Sequence, residues 1–584
     1  MREVQAAEVV GTSEERDSEG RWVVQAKEIL RMIESGEDVV IENGVIRGYL
    51  DLNKAHLKKD DGGKFIVKPL IKVISSEILG TVNFNNTVFL GNVDFSRTKF
   101  EDDVNFIDSQ FKFSSRFFRA EFNRDANFCD AKFNRSDFKR VKFFSDANFT
   151  GAQFEVDADF AKAEFCDFAS FEKVEFKMAR FLGVLFGGVT NFKGVLFTDN
   201  AYFGDADFIV GVAFEGGQFG NDTDFARANF KGYTNFMKVQ FRGINNFMGA
   251  KFGDTADFGE AQFIGNVNFV FACFTDAIFK KTMFNGDVQF VGVRFSGNVL
   301  FDEMKFAGDN SDFRWAQFDA KAYFHKVLFC CNACFSETRF NDGEFDEVEF
   351  QEKLNLDGAT ISRLRLEEVK FAEKLEKLSE EKSVSMKTTI FTQLFVNWDQ
   401  FEQHLEYNGA TFLAFVKNFK ALENFKDADN CYYRYRSESR KNKSWWDNEK
   451  RLKNRFNLSK LYDSVSLGSC GYGVRPGFTV ACIFGSIFGF LLLYYFLGGI
   501  TKSSPPEITM KAMNNSTLLF AFVPSETSPS FWECLYFSAL SFVGGTPAGL
   551  SPVGAWKYAV MFESVFGYLL LALFIVVLAR KLIR

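Results

Sequence analysis

The residues best placed to do chemistry lie in one short run. Gly544-Gly545-Thr546-Pro547 ends an apolar stretch, Phe531 to Val543. Adjacent glycines leave flexible backbone carbonyls, and carbonyls are the groups that replace an ion's hydration shell in a selectivity filter. Thr546 adds a hydroxyl that either meets an ion or closes a turn. Two carboxylates accompany the run. Glu533 either stabilises a cation or caps a helix. Glu563 stands inside a further apolar run, where an ionisable group is a functional hypothesis by default. Its alternative is a pairing with Tyr558, Ser541 or nearby backbone.

Enzyme chemistry finds little purchase. There is no P-loop, no Gly-x-Ser-x-Gly elbow and no cluster with metal-ligand spacing. Only three histidines occur: His56, His325 and His404. The ten cysteines are scattered, and Cys331-Asn332-Ala333-Cys334 has no second pair beside it. A redox or metal site competes there with a plainer reading, small inward residues of a repeat. No catalytic residue, cofactor or metal is expected. A net charge of −7 gives no basic bias, so nucleic acid is not an expected partner.

The elements around the run place it in a membrane. Phe478 to Leu497 is uncharged and spans about 30 Å as a helix. Tyr558 to Leu578 is a second span, interrupted only by Glu563. Phe531 to Val543 between them is too short to cross. Ser530-Phe531-Trp532-Glu533 has the form of a capping box and starts that short helix. Arg455, Lys460 and Arg475 precede the first span, and Arg580, Lys581 and Arg584 follow the second. The positive-inside rule therefore puts both termini in the cytoplasm. Met1 to Lys27 is charged and does not read as a signal peptide.

Span, short re-entrant helix, Gly-rich loop, span: residues 478–584 resemble two-transmembrane potassium-channel-like subunits. Leu535-Tyr536-Phe537-Ser538-Ala539 looks like that family's pore helix, and Ser551-Pro552 lies where a similar pair follows the filter. The resemblance implies a homotetramer in a lipid bilayer, with Val543, Gly544, Gly545, Thr546 and Pro547 at the pore. Trp532, Glu533, Ser541 and Glu563 would support it. Gly567 lies mid-span, where the family carries a flexible glycine, and is either a gating hinge or a close-packing contact. The family's Thr-Val-Gly-Tyr-Gly filter is absent. Pro547 stands in place of its Tyr, fixing φ and removing an N–H, which points to a wider or less selective pore for monovalent cations. Gly471-Tyr472-Gly473 imitates a filter but precedes the first span and reads as the turn into the membrane. Asn514 and Asn515 form glycosylation-like sequons.

The rest of the chain is dominated by phenylalanine, 78 residues in all. From Phe84 the spacing is regular: Phe89, Phe95, Phe100, Phe106, Phe111, Phe117, with steps of five and six in turn. It ends near Phe350, with single-residue slips around Phe138, Phe181 and Phe279 and a longer step from Phe306 to Phe313. Neither a 3.6-residue nor a two-residue period gives this pattern. A coil of four short sides does, each side pointing one Phe inward. A small residue two before Phe, such as Ala126 or Ala147, shares the inward face, and Asn127 or Asn148 between them supports a turn. One coil is about 22 residues, so about 12 coils stack into a rod of roughly 58 Å at the β spacing. Stretches such as Ala147-Asn148-Phe149-Thr150-Gly151-Ala152-Gln153-Phe154 resemble pentapeptide-repeat proteins, which implies a right-handed quadrilateral β-helix. The five/six step departs from that family's strict five.

The expected organisation has four parts. Residues 1–44 hold a capping helix, Trp22 to Ser35, closed by Gly36. Residues 45–371 form the β-helix, ending in a Leu/Ile coil at Leu354, Leu356, Ile361, Leu364 and Leu366. Residues 372–476 form a helical basic linker, including Lys441-Asn442-Lys443 and Lys450 to Arg455. Residues 477–584 form the membrane domain. The function expected is an ion-channel subunit in the cell membrane, whose cytoplasmic β-helix regulates or scaffolds and offers a surface for a ligand or protein. The alternative is a membrane-anchored scaffold that conducts nothing.

Overall fold

The computed structural model describes residues 16–372, 382–447, 455–502, 507–511, 519–523 and 528–582. Two compact units divide at Glu406 and Tyr407. The first is a parallel β-solenoid of about 16 turns. Each regular turn has four sides of about two paired residues, for example Lys99–Phe100, Val104–Asn105, Gln110–Phe111 and Ser115–Arg116. The register confirms a coil of about 22 residues: Phe100 pairs beside Phe122 and Phe143 beside Phe165, 22 residues apart, while Phe122 pairs beside Phe143 across a turn one residue shorter.

The slips read in the sequence are turns one residue short. The loss is absorbed at one corner, where the ladder shifts after Phe111, Phe154 and Phe252. The pairing then recovers before the next inward ring, so the core never loses step. The longer step from Phe306 gives the 23-residue interval between Val288 and Ser311.

Four columns of phenylalanine fill the interior. Along a column the rings stack, as in Phe117 on Phe138 at 4.8 Å and 6°, or Phe149 on Phe171 at 5.1 Å and 1°. Around a turn they meet edge to face, as in Phe138 against Phe149 at 5.5 Å and 90°. Both geometries lie in the favourable range for aromatic pairs. Ala126, Ala147 and Ala169 share the inward face as expected and are fully buried. Asn127 and Asn148 after two of them, and Asn235 after the equally buried Thr234, end short strands, and each side-chain oxygen accepts from the amide two residues on: Cys129 N to Asn127, Thr150 N to Asn148, Met237 N to Asn235, at 2.8–3.0 Å. The corner after every second Phe uses a left-handed residue, often not glycine: Arg97, Arg119, Lys162 and Lys173 hold φ between 56° and 59°.

The solenoid is longer than its Phe pattern at both ends. Trp22–Gln25, expected within a helix, is its first strand and pairs with Gly44–Arg47. The helix α1 is therefore Ala26–Ser35, closed at Gly36 with φ 81°. Its apolar face, including Ile29, Leu30 and Ile33, is buried against the first turn. At the other end Val384–Ser385 and Ile390–Phe395, expected in the helical linker, are strands stacked on Leu354–Asn355 and Thr360–Glu367. Those segments carry inward Val384 and Leu394 in place of Phe, so the aromatic pattern cannot mark them. The short helix α2, Trp398–Phe401, follows and buries both of its aromatic ends. Phe401 meets Phe371 edge to face at 5.6 Å, closing the last Phe column.

The second unit is helical. An antiparallel pair, α3 (Gly409–Ala421) and α4 (Phe425–Lys441), opens it. α5 (Leu458–Cys470) follows and ends at Gly471 with φ 53°. Asn408, Asn424 and Asn457 cap these three helices with their side-chain oxygens. Asp463 of α5 is almost fully buried between Arg436 and Lys443, at 2.5 and 2.6 Å. Burial pushes its carboxyl up, and the hydrogen bonds from Lys443 and Arg436 outweigh that and hold it below the usual range. The Gly471–Gly473 turn leads into α6, Pro476–Leu497. α7 is Phe531–Phe542 and α8 is Trp556–Leu582. α6 and α8 are both long and apolar enough to cross a membrane. Lys450 to Asn454, Asn514 and Asn515 lie outside the described residues.

Phe181 stacks between Phe160 and Phe203, at 5.0 and 4.8 Å. Phe181→Ala removes a ring from a core that cannot collapse around it, because the backbone ladder fixes the turn spacing. A loss of about 3–5 kcal/mol follows, and Phe181→Leu costs less. Pulse proteolysis of the full chain across a urea series reads this as a lower midpoint for cleavage of the solenoid.

Candidate functional site

α7 begins with the capping box that its sequence announces. The Ser530 amide donates to the Glu533 carboxylate at 2.7 Å, and the Glu533 amide donates to Ser530 Oγ at 3.4 Å. Of the two readings of Glu533, the cap is the one its contacts fill. Lys502 also reaches Glu533, at 2.8 Å. The Lys502 hydrogen bond first, then those from Ser530, hold the Glu533 carboxyl down to about 2. Trp532 beside it is 73% exposed and stands apart from the buried groups below.

Those groups are tied to both long helices. Glu563 of α8 is fully buried, and it accepts from Tyr494 Oη of α6 at 2.7 Å. Its other oxygen meets Ser538 Oγ of α7. Ser538 Oγ also reaches the Ile487 carbonyl at 2.9 Å, so its single proton faces two acceptors. One carboxylate thus connects α6, α7 and α8. The partners expected for Glu563 were Tyr558, Ser541 or backbone, and the structure replaces them with Tyr494 and Ser538. Leu491, Tyr494, Ile500, Cys534 and Phe537 form the apolar cluster beside the network, with Trp556 packed on it.

The end of α7 is fixed as firmly as its start. Gly544 has φ 75°, its amide donates to Ser541 O at 3.0 Å, and the Gly545 amide donates to Leu540 O at 2.8 Å. This is the paired bonding of a glycine-terminated helix. A Cβ on Gly544 would collide with the Tyr568 hydroxyl, which donates to Val543 O at 3.2 Å. A Cβ on Gly567 would collide with the Phe542 carbonyl oxygen. The Ser564 hydroxyl donates to Ser541 O at 2.6 Å, while Ser541 Oγ is buried with no hydrogen-bond partner. Of the two readings of Gly567, close packing is the one this contact supports.

These contacts set the depth of the loop. Gly567 lies eleven residues into α8, roughly 16 Å along it. Ile487 lies eleven residues into α6. α7 therefore runs from one end of the long helices to about their middle and stops there. Val543, Gly544 and Thr546 are exposed in the single chain, Gly545 is half-buried and Pro547 is buried. The chain then returns along Leu550–Pro552, which pairs antiparallel with Ile500–Lys502 and sets Ser551 beside Thr501.

The pairing of Tyr494 with Ser538 through Glu563 was missed in the sequence. The available signal was a polar-tipped aromatic and a serine inside otherwise apolar helices. In the solenoid, Cys331 is buried beside Ser311 Oγ at 3.0 Å, and burial pushes its thiol up to about 11. Among the described residues no three His, Cys, Asp or Glu side chains converge as metal ligands. No protein-family model matches the chain, and neither a characterised protein nor a solved structure matches it.

Gly567→Val forces α7 and α8 apart where the Phe542 carbonyl lies against Gly567. The expected result is faster amide exchange at Ser541 to Gly545 with little change in the solenoid, read by hydrogen–deuterium exchange of the full chain. A separate prediction concerns pH. The folded Glu533 value lies below the ordinary 4.5, so its support for α7 is complete above about pH 4.5 and fades as pH falls toward 2. Protection of the Trp532 to Cys534 amides, taken relative to their intrinsic exchange rate at each pH, should fall over that window, and Glu533→Gln, which keeps the box, should flatten the dependence.

Proposed function

We propose that the helical unit is one subunit of a pore-loop ion channel, anchored in a lipid bilayer by α6 and α8. One observation carries this reading. α7 is too short to cross, is capped at both ends, and delivers Val543 to Pro547 to mid-depth beside Gly567. Non-helical backbone at that depth is tolerated only where it is buried in protein or lines a water-filled path. Val543, Gly544 and Thr546 are exposed in one chain, so copies of the chain must surround them. A homotetramer does so, and the resemblance to two-transmembrane potassium-channel-like subunits supports that number. The loop's carbonyls and the Thr546 hydroxyl would then face permeant monovalent cations. Pro547 replaces the filter residue that would donate an N–H behind such a path, which favours weak selectivity.

The solenoid, read as a pentapeptide-repeat-like β-helix, would lie on the cytoplasmic side as a regulatory or scaffold domain. The basic residues Lys460, Arg475, Arg580 and Lys581 at the outer ends of both spans support that orientation. Its flat walls suit a protein or ligand partner in the cytoplasm.

Recording the purified chain in planar bilayers with asymmetric potassium, sodium and chloride salts tests the proposal. Discrete openings are expected, with a reversal potential that follows cations and little preference between potassium and sodium. Silence from intact tetramers across voltage and tension would leave the anchored, non-conducting scaffold instead. Strict potassium preference would overturn the reading of the loop.

A further inference from the structure

Charge is segregated on two corners of the solenoid over four consecutive turns. The corner that follows Phe95, Phe117, Phe138 and Phe160 carries Arg97, Arg119, Arg140 and Lys162, one per turn, all exposed and left-handed. The ladder stacks them: the Arg97 amide donates to Phe118 O, that of Arg119 to Lys139 O and that of Arg140 to Ala161 O, at 2.7–3.0 Å. The next corner along the chain, in the same turns, carries Asp103, Asp125 and Asp146 in one exposed column. Asp102 and Asp167 flank that column, and Arg124 is the single cation in the corner. Among the described residues none of the four cations or five aspartates of these corners is in an ion pair, whereas the neighbouring Arg116, Lys139 and Lys142 each are.

The wall between the two corners shows the arrangement that suits a lone chain. Lys99, Glu121, Lys142 and Glu164 pair in register along it and alternate in sign. Columns of one sign at about 4.8 Å spacing repel instead, since like charges directly opposite one another destabilise a sheet. The effect is present at Asp146, whose carboxyl is pushed up by partial desolvation and then by Asp125 and Asp167. A surface of opposite sign with the same repeat relieves such a column. The chain itself carries that surface, one corner away and over the same turns. The flanking turns match as well. In the turn before, the corners present the neutral Ser75 and Thr81. In the turn after, they present Leu182 and Val189, both exposed.

We infer that the basic corner of one solenoid docks on the acidic corner of a second copy of this chain, turn against turn. Arg97 then faces Asp103, Arg119 faces Asp125, Arg140 faces Asp146 and Lys162 faces Asp167, with Leu182 against Val189 beyond them. The two surfaces differ, so the contact is heterologous and has to close into a ring. The four copies proposed above close it. The inference rests on that number and is independent of conduction. Exposed pairs are individually weak and screened by salt. They suffice here because chains already assembled in one membrane complex meet at high effective concentration.

Disulfide trapping in the full chain tests it, in a C166S, C273S background that removes the exposed native thiols. Chains carrying R119C and D125C, co-expressed and oxidised, should give covalent dimers, and one chain carrying both should give a ladder up to the tetramer. Either variant alone should give no dimer, because each corner meets its opposite. R97E with R140E on the R119C chain should lower the early dimer yield by roughly 15-fold, counting about two-fold for each lost pair and as much again for each repulsion. D103K with D146K on the D125C chain should restore it, with circular dichroism confirming the fold of every variant. Intact tetramers by native mass spectrometry, with no trapping between R119C and D125C, would overturn the inference and leave the four-copy reading standing. Monomers throughout would overturn that reading and the ring with it. Dimers from R119C alone or D125C alone would show like corners meeting and overturn the heterologous contact. Equal trapping after charge reversal would overturn the charged columns as its cause.

Discussion

The spacing of a parallel backbone ladder dictates this solenoid. Once chain segments 21 or 22 residues apart are paired, any ring pointing inward must meet the ring of the next turn at the ladder spacing. Phe117 on Phe138 and Phe143 on Phe165 sit at 4.8 and 4.9 Å for that reason. Every other feature of the unit serves the same constraint. Asn127 and Asn148 secure the turn amides that the ladder leaves unpaired. The shifts after Phe111 and Phe154 absorb a missing residue without moving the rings out of column. α1 and Trp398 bury the apolar surface that stacking alone would leave open at the two ends. A repeat cannot bury its own ring, so stability belongs to the stack.

The helical unit obeys a different constraint. Backbone groups away from water must find partners, and a helix that stops halfway along its neighbours has several to satisfy. Here the Ser541 carbonyl accepts a hydrogen bond from the Ser564 hydroxyl, that of Val543 from Tyr568, and that of Leu540 from the Gly545 amide. Gly544 and Gly567 are glycines because Tyr568 and Phe542 occupy the space a Cβ would need. Glu563 then joins all three helices through Tyr494 and Ser538. That arrangement is more than an anchor requires, and it holds the loop still while leaving Val543, Gly544 and Thr546 uncovered.

What could be read from the sequence was what depends on local spacing. The steps of five and six between phenylalanines gave four sides and a 22-residue turn, and Ser530 with Glu533 gave the start of α7. The spans of α6 and α8 were legible within two residues at their first ends. Trp22–Gln25 was hidden because Val24 also fits the helical pattern of Ile29, Leu30 and Ile33, and only pairing with Gly44–Arg47 decides it. Val384 and Leu394 continue the core without phenylalanine, so the pattern stopped before the solenoid did. The left-handed φ of Arg97 and Lys162 has no signal in residue type, since their neighbours in the next turn impose it. Glu563 was visible as a buried charge, but its partner Tyr494 is 69 residues away and nothing local points to it.

The central claim is that the loop after α7 faces water at mid-membrane depth. The most direct measurement is labelling of Thr546→Cys in sealed vesicles by a small, membrane-impermeant thiol reagent, counted above the background of the native cysteines. The account predicts labelling of Cys at 546 from the aqueous phase, together with weak quenching of a probe there by lipid-borne nitroxide. No labelling from water, with strong quenching from lipid, would place the loop against hydrocarbon and contradict it.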